Sequence, residues 1–284
     1  MTMSEIKKWT VRDAKKCIII PSEIDHKYSR GVLGVITGSA QYPGAAVLSV
    51  AAASATGLGM IRFHSSSGLA HLVLHSNPEV VVQPGKVTAW LAGSGVSSQK
   101  YSSASTYLRH RWFSLLSKQS VPTVLDAGAL HLAGKLSAPT IITPHAGELS
   151  ALLGSKGLVV SAESIEAVPL KWAKEASELL QVVVLLKGNR SIVTSKALAI
   201  ELPSASTWLA TAGTGDVLGG ILAALVATNY IEILNDENHL VRLGATAALI
   251  HNRAALLAAS GAPINATSII NFIPKAIENI LSKG

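Results

Sequence analysis

Short apolar runs alternate along this chain with longer segments of helical character. The runs are GVLGVITG (31–38), AHLVLHS (70–76), VTAWLAG (87–93), PTVLDAG (122–128), PTIITP (139–144), QVVVLLKG (181–188) and SIVTS (191–195). Helices are predicted at 44–57, 103–118, 147–154, 161–180, 217–228, 240–259 and 266–282. Because the strands are apolar almost throughout, we expect burial on both faces, in a mostly parallel sheet between helix layers.

The composition is consistent with one large α/β domain. Of the 284 residues 49% are hydrophobic and 14% are charged, so the chain can bury a substantial core. We see no Pro/Ser-rich linker and no internal repeat, and therefore predict a single domain over 1–284. Parallel sheets of this kind bind ligands at the carboxyl ends of their strands.

Several classes of partner are excluded at this stage. The net charge of +7 is scattered, which is typical of a solvated basic surface; the functional alternative is attraction of an anionic small molecule. The sequence shows no basic stripe with interleaved aromatics of the kind that binds a nucleic acid. The apolar stretch 44–61 is rich in Ala, Ser and Gly, so we predict a buried helix and not a membrane span. Cys17 is the only cysteine, and together with a polar amino terminus it indicates a cytoplasmic protein.

No metal site built by the protein itself is predicted. His71 and His75 lie four residues apart, in a run that we interpret as a strand. A third ligand with metal-like spacing is not near them in the sequence, so we reject a zinc site there.

The segment ATAGTGDVLGGILAALV (210–226) holds the residues of the chain that are best suited to ligand binding and catalysis. Gly213 and Gly215 allow positive φ and a close approach of the backbone to a ligand, directly before an apolar helix. The first amides of a helix lack internal partners, and the helix dipole adds positive charge there. The segment therefore predicts an anion site at the start of this helix.

Asp216 stands at the mouth of that anion site and has two interpretations. Asp is a favoured N-cap, and the spacing alone favours this structural role. The functional interpretation is a general base beside an anion hole, which phosphoryl transfer to an alcohol requires.

The same segment resembles the signature of ribokinase-like small-molecule kinases. Four further segments, in matching order and spacing, resemble the ADP/ATP-dependent NAD(P)H-hydrate dehydratases, which are similar to the carboxyl-terminal half of two-domain YjeF proteins. These segments are VITGSAQYPGAAVLS (35–49), VLDAGAL (124–130), IITPHAGELSALLG (141–154) and VVVLLKGNRSIV (182–193). The resemblance covers roughly residues 28–282 and is to the stand-alone form, without the epimerase domain.

This resemblance implies a ribokinase-like three-layer α/β/α fold and a repair reaction. The substrate would be NADH or NADPH hydrated at C6, whose hydroxyl is phosphorylated by ADP or ATP before phosphate leaves. Asp216 would take the hydroxyl proton, and the amides around Gly213 and Gly215 would stabilise the transferring phosphoryl group. Mg²⁺ would be held mainly by phosphates and water. The family also implies a homo-oligomer, and we expect a tetramer.

The resemblance assigns the remaining site residues by match. The nucleotide would be lined by Gly215 and by the KGNRS segment, Lys187, Gly188, Asn189, Arg190 and Ser191. The hydrated dinucleotide would contact Ala45, Gly95, His145 and Asp216. Spacing alone would make Lys187 a surface lysine, Gly95 a turn glycine and His145 a structural residue. Asp126 could position a magnesium-bound water or cap a turn.

The chain departs from the family pattern at two places. Ala146 replaces the second proline of the usual Pro-His-Pro-Gly-Glu, which should loosen the loop slightly and leave His145 and Glu148 in place. The Gly-Asn step that commonly precedes the anion hole is absent from LPSASTWLATAGTGD (202–216). Two rival functions stay open: a ribokinase-like kinase of a vitamin-precursor alcohol, and a nucleotide-binding sensor without catalysis.

Overall fold

One mixed sheet organises the computed structural model, which describes residues 6–98 and 104–283. Its strands in the described ranges are β1 (Lys7–Lys8), β2 (Val32–Ile36), β3 (Met60–Phe63), β4 (Ala89–Ala92), β5 (Thr123–Leu125), β6 (Thr140–Ile142), β7 (Val183–Leu186), β8 (Ile192–Thr194) and β9 (Ala199–Glu201). The strand order is β1-β9-β8-β7-β6-β5-β4-β2-β3. All neighbours from β3 to β7 are parallel, and β8 alone runs against its two neighbours.

Helices cover both faces of this sheet. They are α1 (Val11–Lys15), α2 (Pro43–Thr56), α3 (Ser67–Ser76), α4 (Ala104–Trp112), α5 (Ser114–Lys118), α6 (Ala146–Gly154), α7 (Ala162–Ala167), α8 (Pro169–Leu180), α9 (Thr214–Thr228), α10 (Tyr230–Asn235), α11 (His239–Ala259) and α12 (Ala266–Lys283). Leu33 and Val35 of β2 join a core with α2, α9, α11 and α12, whereas Val32 and Ile36 join a second core with α5, α6 and α8. The alternation of side chains along each strand therefore feeds two apolar cores, and the predicted mostly parallel sheet between helix layers is confirmed.

Three secondary-structure predictions were wrong. Residues 70–76 lie in α3 and not in a strand, because Leu69, Ala70 and Val73 form one buried face at helical spacing. The helix predicted at 161–180 is two helices that meet at Val168, because Pro169 cannot continue the hydrogen-bond ladder of α7. The helix predicted at 103–118 is divided at Phe113, and residue 103 lies outside the described residues.

His71 and His75 consequently lie four residues apart on the exposed side of α3, and not on one face of a strand. Within 6–98 and 104–283, no group of three or more His, Cys, Asp or Glu side chains is placed to hold a metal ion. The same ranges contain no helix with the length and hydropathy needed to cross a membrane.

Candidate active site

Polar side chains from four parallel strands meet at the carboxyl edge of the sheet. The Asp126 carboxylate, which follows β5 and is 4% exposed, is their centre. It accepts hydrogen bonds from Ser94 Oγ at 2.9 Å and from Thr143 Oγ1 at 2.8 Å, after β4 and β6 respectively. Lys187 Nζ, which follows β7, donates to Asp126 Oδ1 at 3.1 Å. Asp126 therefore fixes the position of a cation at the edge where such sheets bind ligands.

The Lys187 ammonium group lies between two carboxylates. Its second partner is Glu148 of α6, whose Oε2 lies 3.6 Å from Lys187 Nζ. Burial acts to lower the pKa of Lys187, but the charges of Asp126 and Glu148 outweigh it, so the pKa is raised. Lys187 is thus held as a cation with 22% of its side chain exposed, and the interpretation as a free surface lysine is wrong.

The start of α9 faces this cation. Gly213 is the N-cap residue, with φ 87° and ψ −10°, a left-handed conformation that favours glycine. No side chain of the described residues caps this end of α9. A Cβ on Gly215 would lie 3.8 Å from Lys187 Nζ, so the lysine reaches the first turn of the helix. An uncapped helix start beside an ammonium group is a site for a phosphate.

Asp216 is the third residue of α9, inside the helix and not at its cap. The N-cap interpretation is therefore wrong, and no hydrogen bond of its carboxylate is found in the described part of the chain. Burial and, after it, the nearby charge of Asp126 raise the pKa of Asp216 to about 6, although Lys187 opposes the shift. A carboxylate with this pKa is ionised at neutral pH and is a much better proton acceptor than an ordinary aspartate.

A cavity of about 550 Å³ opens beside the start of α9, and we call it the α9 cavity. Six of the residues predicted to contact ligands line it: His145, Lys187, Gly188, Asn189, Ser191 and Gly215. Arg190 is not brought there, because its exposed side chain turns outward and donates from Nε to Ser204 Oγ at 3.1 Å. The α9 cavity therefore adjoins Lys187 and the uncapped helix start directly.

The opposite wall of the α9 cavity comes from residues that the sequence analysis did not single out. Asn252 of α11 accepts a hydrogen bond from the Ser206 backbone at 2.8 Å and donates to the Ser204 carbonyl at 3.4 Å. It thereby holds the loop that lacks the Gly-Asn step. The signal for this wall is the polar run His-Asn-Arg, 251–253, between the apolar stretches AALI and AALLAA of α11.

His251 is the second residue of this wall. Its side chain is 7% exposed, and its Nε2 finds no hydrogen-bond partner in the described residues. Burial lowers the pKa of His251 to about 4, against the opposing effect of a hydrogen bond to the Thr214 backbone. His251 is consequently neutral at neutral pH and adds no charge to the α9 cavity.

His145 begins α6 through a capping box. Its Nδ1 accepts from the backbone N–H groups of Gly147 and Glu148 at 3.1 and 3.3 Å, while Glu148 Oε2 accepts from the His145 N–H at 2.9 Å. Ala146 occupies the first helical position, so both partners keep the places expected for them despite the missing proline. The structure places His145 in the wall of the α9 cavity, with Lys187 and apart from Ala45 and Gly95.

Ala45 and Gly95 pack against each other on the other side of Asp126. Gly95 has φ 66°, and a Cβ there would lie only 2.4 Å from the Cβ of Ala45, so a larger residue does not fit. The N–H of Gly38 donates to the Ser94 carbonyl at 2.7 Å, which joins the loops after β2 and β4. Since Ser94 also binds Asp126, these predicted substrate contacts are continuous with the charged centre.

The comparison with protein families decides the classification. A family model described as NAD(P)H-hydrate dehydratase matches residues 33–275. The chain belongs to this family. The bifunctional NAD(P)H-hydrate repair enzyme Nnr of Mycobacterium tuberculosis is 37% identical over 224 residues, which are 74% of this chain and 43% of that protein. The chain therefore spans less than half the length of the bifunctional relatives that it matches.

Two other proteins resemble this dehydratase-family chain, one in sequence and one in structure. The ADP-dependent (S)-NAD(P)H-hydrate dehydratase of Neisseria meningitidis is 30% identical over 226 residues, 72% of each protein. The crystal structure of ADP/ATP-dependent NAD(P)H-hydrate dehydratase from Bacillus subtilis, co-crystallised with ATP/Mg²⁺, superposes with a TM-score of 0.80 at 24% identity, covering 97% of this chain and 99% of that one. This likeness shows the fold, and the predicted ribokinase-like architecture is confirmed.

Proposed function

We propose that this protein dehydrates the S-configured hydrates of NADH and NADPH, using ADP or ATP to phosphorylate the C6 hydroxyl. The observation that carries the proposal is the position of Asp216. A carboxylate whose pKa is about 6 stands in the first turn of an uncapped helix, near Lys187 and Asp126. A general base beside an anion hole is what phosphoryl transfer to an alcohol requires.

In the proposed first step, Asp216 acts on the substrate hydroxyl, and Lys187 and the first amides of α9 act on the phosphoryl group. The Asp216 carboxylate takes the proton of the C6 hydroxyl while the oxygen of that hydroxyl attacks the terminal phosphorus of the nucleotide. With ADP this forms a C6 phosphoester and AMP. The amides at Gly213 to Gly215 would stabilise negative charge on the transferring group, and Lys187, held by Asp126 and Glu148, would neutralise it.

The second step needs no further nucleotide. The bond between C6 and its oxygen breaks, and phosphate leaves with that oxygen. A proton leaves the adjacent ring carbon, and the ring double bond forms again. Water is a poor leaving group and phosphate a good one, so the first step makes the second possible.

Magnesium is part of the proposal, since it neutralises charge on the phosphates when bound. The residues present fit an ion held mainly by phosphates and water, because the carboxylates of Asp126 and Asp216 lie close enough for the charge of Asp126 to raise the pKa of Asp216. Asp126 and Asp216 are the carboxylates that could accept hydrogen bonds from the water around such an ion. We also propose a cytoplasmic homo-oligomer, with a tetramer as the family resemblance implies, which sedimentation would test.

The test supplies purified protein with Mg²⁺, ADP or ATP, and S-configured hydrated NADH or NADPH. We expect absorbance at the nicotinamide band to return, with AMP and phosphate released in equal amounts when ADP is the donor. No turnover with either donor, together with phosphorylation of a pyrimidine or thiazole alcohol, would favour a vitamin-precursor kinase. Nucleotide binding without turnover of any of these alcohols would favour the sensor.

A further inference from the structure

A second cavity, of about 290 Å³, lies at the carboxyl ends of β2 and β3, and we call it the Arg109 cavity. Its wall includes Ser39 and Ala40 from the loop after β2 and Pro43, the first residue of α2. Ala45, which the family resemblance assigns to the dinucleotide, follows Pro43 by two residues in α2. The same wall contains Arg109 of α4 and the first turn of α3.

Arg109 is a buried cation that pairs with no carboxylate of the described residues, although the rings of Trp112 and Phe63 lie 4.8 and 5.9 Å from its Cζ. Its side chain is 3% exposed, and its two Nη groups donate to the backbone carbonyls of His64, at 2.6 Å, and Thr37. Its Nε finds no partner, and no carboxylate pairs with it anywhere in residues 6–98 and 104–283. A buried charge of this kind is costly unless an opposite charge joins it.

The first turn of α3 adds a second source of positive potential to the Arg109 cavity. Ser66 is the N-cap of this ten-residue helix, and its side chain makes no capping hydrogen bond. Ser66 and Gly68 both line the cavity, so the open end of the helix faces the same space as Arg109. Uncapped amides and the helix dipole favour an anion at this position.

Neighbouring polar atoms at the ends of β2 and β3 are also unsatisfied. Thr37 Oγ1, His64 Nε2 and Ser65 Oγ are buried without a hydrogen-bond partner in the described part of the chain. Burial and, after it, the charges of Arg62 and Arg109 lower the pKa of His64. Native proteins rarely leave so many polar atoms unpaired in one place. These residues do not line the Arg109 cavity but adjoin it, since Thr37 and His64 accept hydrogen bonds from Arg109 and Ser65 precedes the N-cap of α3.

Three strand positions along the sheet separate the Arg109 cavity from Asp126 at the reaction centre. Asp126 follows β5, and β4 and β2 stand between β5 and β3 in the sheet. Three strand spacings amount to roughly 14 Å along the carboxyl edge. A dinucleotide whose nicotinamide ring lies near Asp216 carries its phosphate groups on the parts that extend beyond the ring.

We propose that Arg109 and the first turn of α3 bind a phosphate group of the hydrated dinucleotide. The inference rests on the proposed function for the identity of the ligand, whereas the charge and the cavity belong to the chain itself. The phosphate could be the 2′-phosphate that distinguishes NADPH from NADH or the pyrophosphate that both share. Either group would give Arg109 the negative partner that it lacks.

The test places a negative charge in the cavity without disturbing Arg109. A Cβ on Gly68 would meet no atom within 4 Å, and an acidic residue in the first turn favours a helix, so Gly68→Asp should fold normally. Gly68→Asn is the matched neutral control. The dissociation constants of NADP⁺ and NAD⁺ are measured by calorimetry with ADP and Mg²⁺ saturating, so that the nucleotide position is already filled.

We expect Gly68→Asp to weaken binding about tenfold or more relative to Gly68→Asn, the scale of a lost charge-assisted hydrogen bond. Weakening for NADP⁺ alone identifies the 2′-phosphate, and equal weakening for both dinucleotides identifies the pyrophosphate. Equal affinities of the two variants for both dinucleotides would overturn the proposal, even if Arg109→Met lowered the melting temperature. Because the readout is binding, it stays independent of whether the protein shows dehydratase turnover.

Discussion

The charges near α9 and the charge in the Arg109 cavity lie on the same edge of the sheet. Of the two cations, only the one near α9 has carboxylate partners among the described residues. Lys187 has carboxylates on two sides, and Asp216 stands near both Lys187 and Asp126. Among the described residues, Arg109 has two backbone carbonyls and the rings of Trp112 and Phe63 as partners, but no carboxylate. The first region pairs its cation within the protein, which suits the proton and phosphoryl transfer that we propose, whereas in the second we propose that a phosphate group of the ligand is the partner.

The two regions differ also in what burial does to protonation. Near α9, burial and Asp126 move the pKa of Asp216 to about 6, close to the working pH of a general base. In the second cavity, burial lowers the pKa of Arg109 to about 9, which still leaves it a cation at neutral pH. One region therefore exchanges a proton near neutrality, and the other keeps a fixed charge.

The largest expected effect comes from removing the proposed base. Asp216→Asn should lower turnover about 10²-fold or more, because the C6 hydroxyl loses its proton acceptor. Nucleotide affinity should stay close to that of the unchanged protein. Asp25→Asn, at an exposed turn, is the control for loss of an aspartate elsewhere. Near-normal turnover of Asp216→Asn would remove Asp216 from the chemistry.

The same variant makes a prediction about stability. The folded pKa of Asp216 is about 6 against an ordinary 3.8, so between these values the folded state binds more protons than the unfolded state. Its contribution to stability is therefore lost as the pH rises through that window. Asn cannot ionise, and above pH 6 Asp216→Asn should melt at a higher temperature than the unchanged protein. A lower melting temperature of Asp216→Asn would instead show that Asp216 stabilises the fold.

The next effect concerns the cation near α9. Lys187→Met should raise the apparent KM for the nucleotide about tenfold, and raise the KM for the hydrated cofactor less, because a charge-assisted contact to phosphate is lost. Arg190→Ala is the matched control, since Arg190 turns away from the α9 cavity. Equal changes in both KM values, or an equal effect of Arg190→Ala, would contradict this division of roles.

The smallest effect is a shift in titration. Asp126 acts to raise the pKa of Asp216, so Asp126→Asn should lower that pKa from about 6, and Ser94→Ala should leave it nearly unchanged. Carbon-13 NMR of labelled aspartate carboxyl groups, assigned with Asp216→Asn, would measure both. An unchanged or higher pKa in Asp126→Asn would show that the two carboxylates are not coupled.

The place of the first region on the sheet was predictable from local sequence, whereas the assignment of Lys187 to it came from the family resemblance, because spacing alone makes Lys187 a surface lysine. Lys187 ends an apolar strand, Gly215 begins an apolar helix, and parallel strands bring such ends to one edge of the sheet. The error at 70–76 has an equally local origin, because a short apolar run does not distinguish strand from helix.

The rest depends on contacts between residues distant in sequence. In the wall of the α9 cavity, Asn252 accepts a hydrogen bond from the backbone of Ser206, 46 residues away. Arg109 donates to the carbonyl of His64, 45 residues away. Nothing near Arg109 in the sequence shows that its charge will be buried without a carboxylate. The N-cap interpretation of Asp216 failed for a local reason, because the left-handed Gly213 takes the cap position and leaves Asp216 inside the helix.

The most direct test of the central claim follows the C6 oxygen of the substrate. Hydrated NADH labelled with ¹⁸O in the C6 hydroxyl is converted with ADP and Mg²⁺, and the released phosphate is analysed by mass spectrometry. Phosphorylation of that hydroxyl requires its oxygen to leave with phosphorus, so each phosphate released should carry one ¹⁸O atom. Repaired NADH accompanied by unlabelled phosphate, with the label in water, would contradict phosphoryl transfer to the substrate.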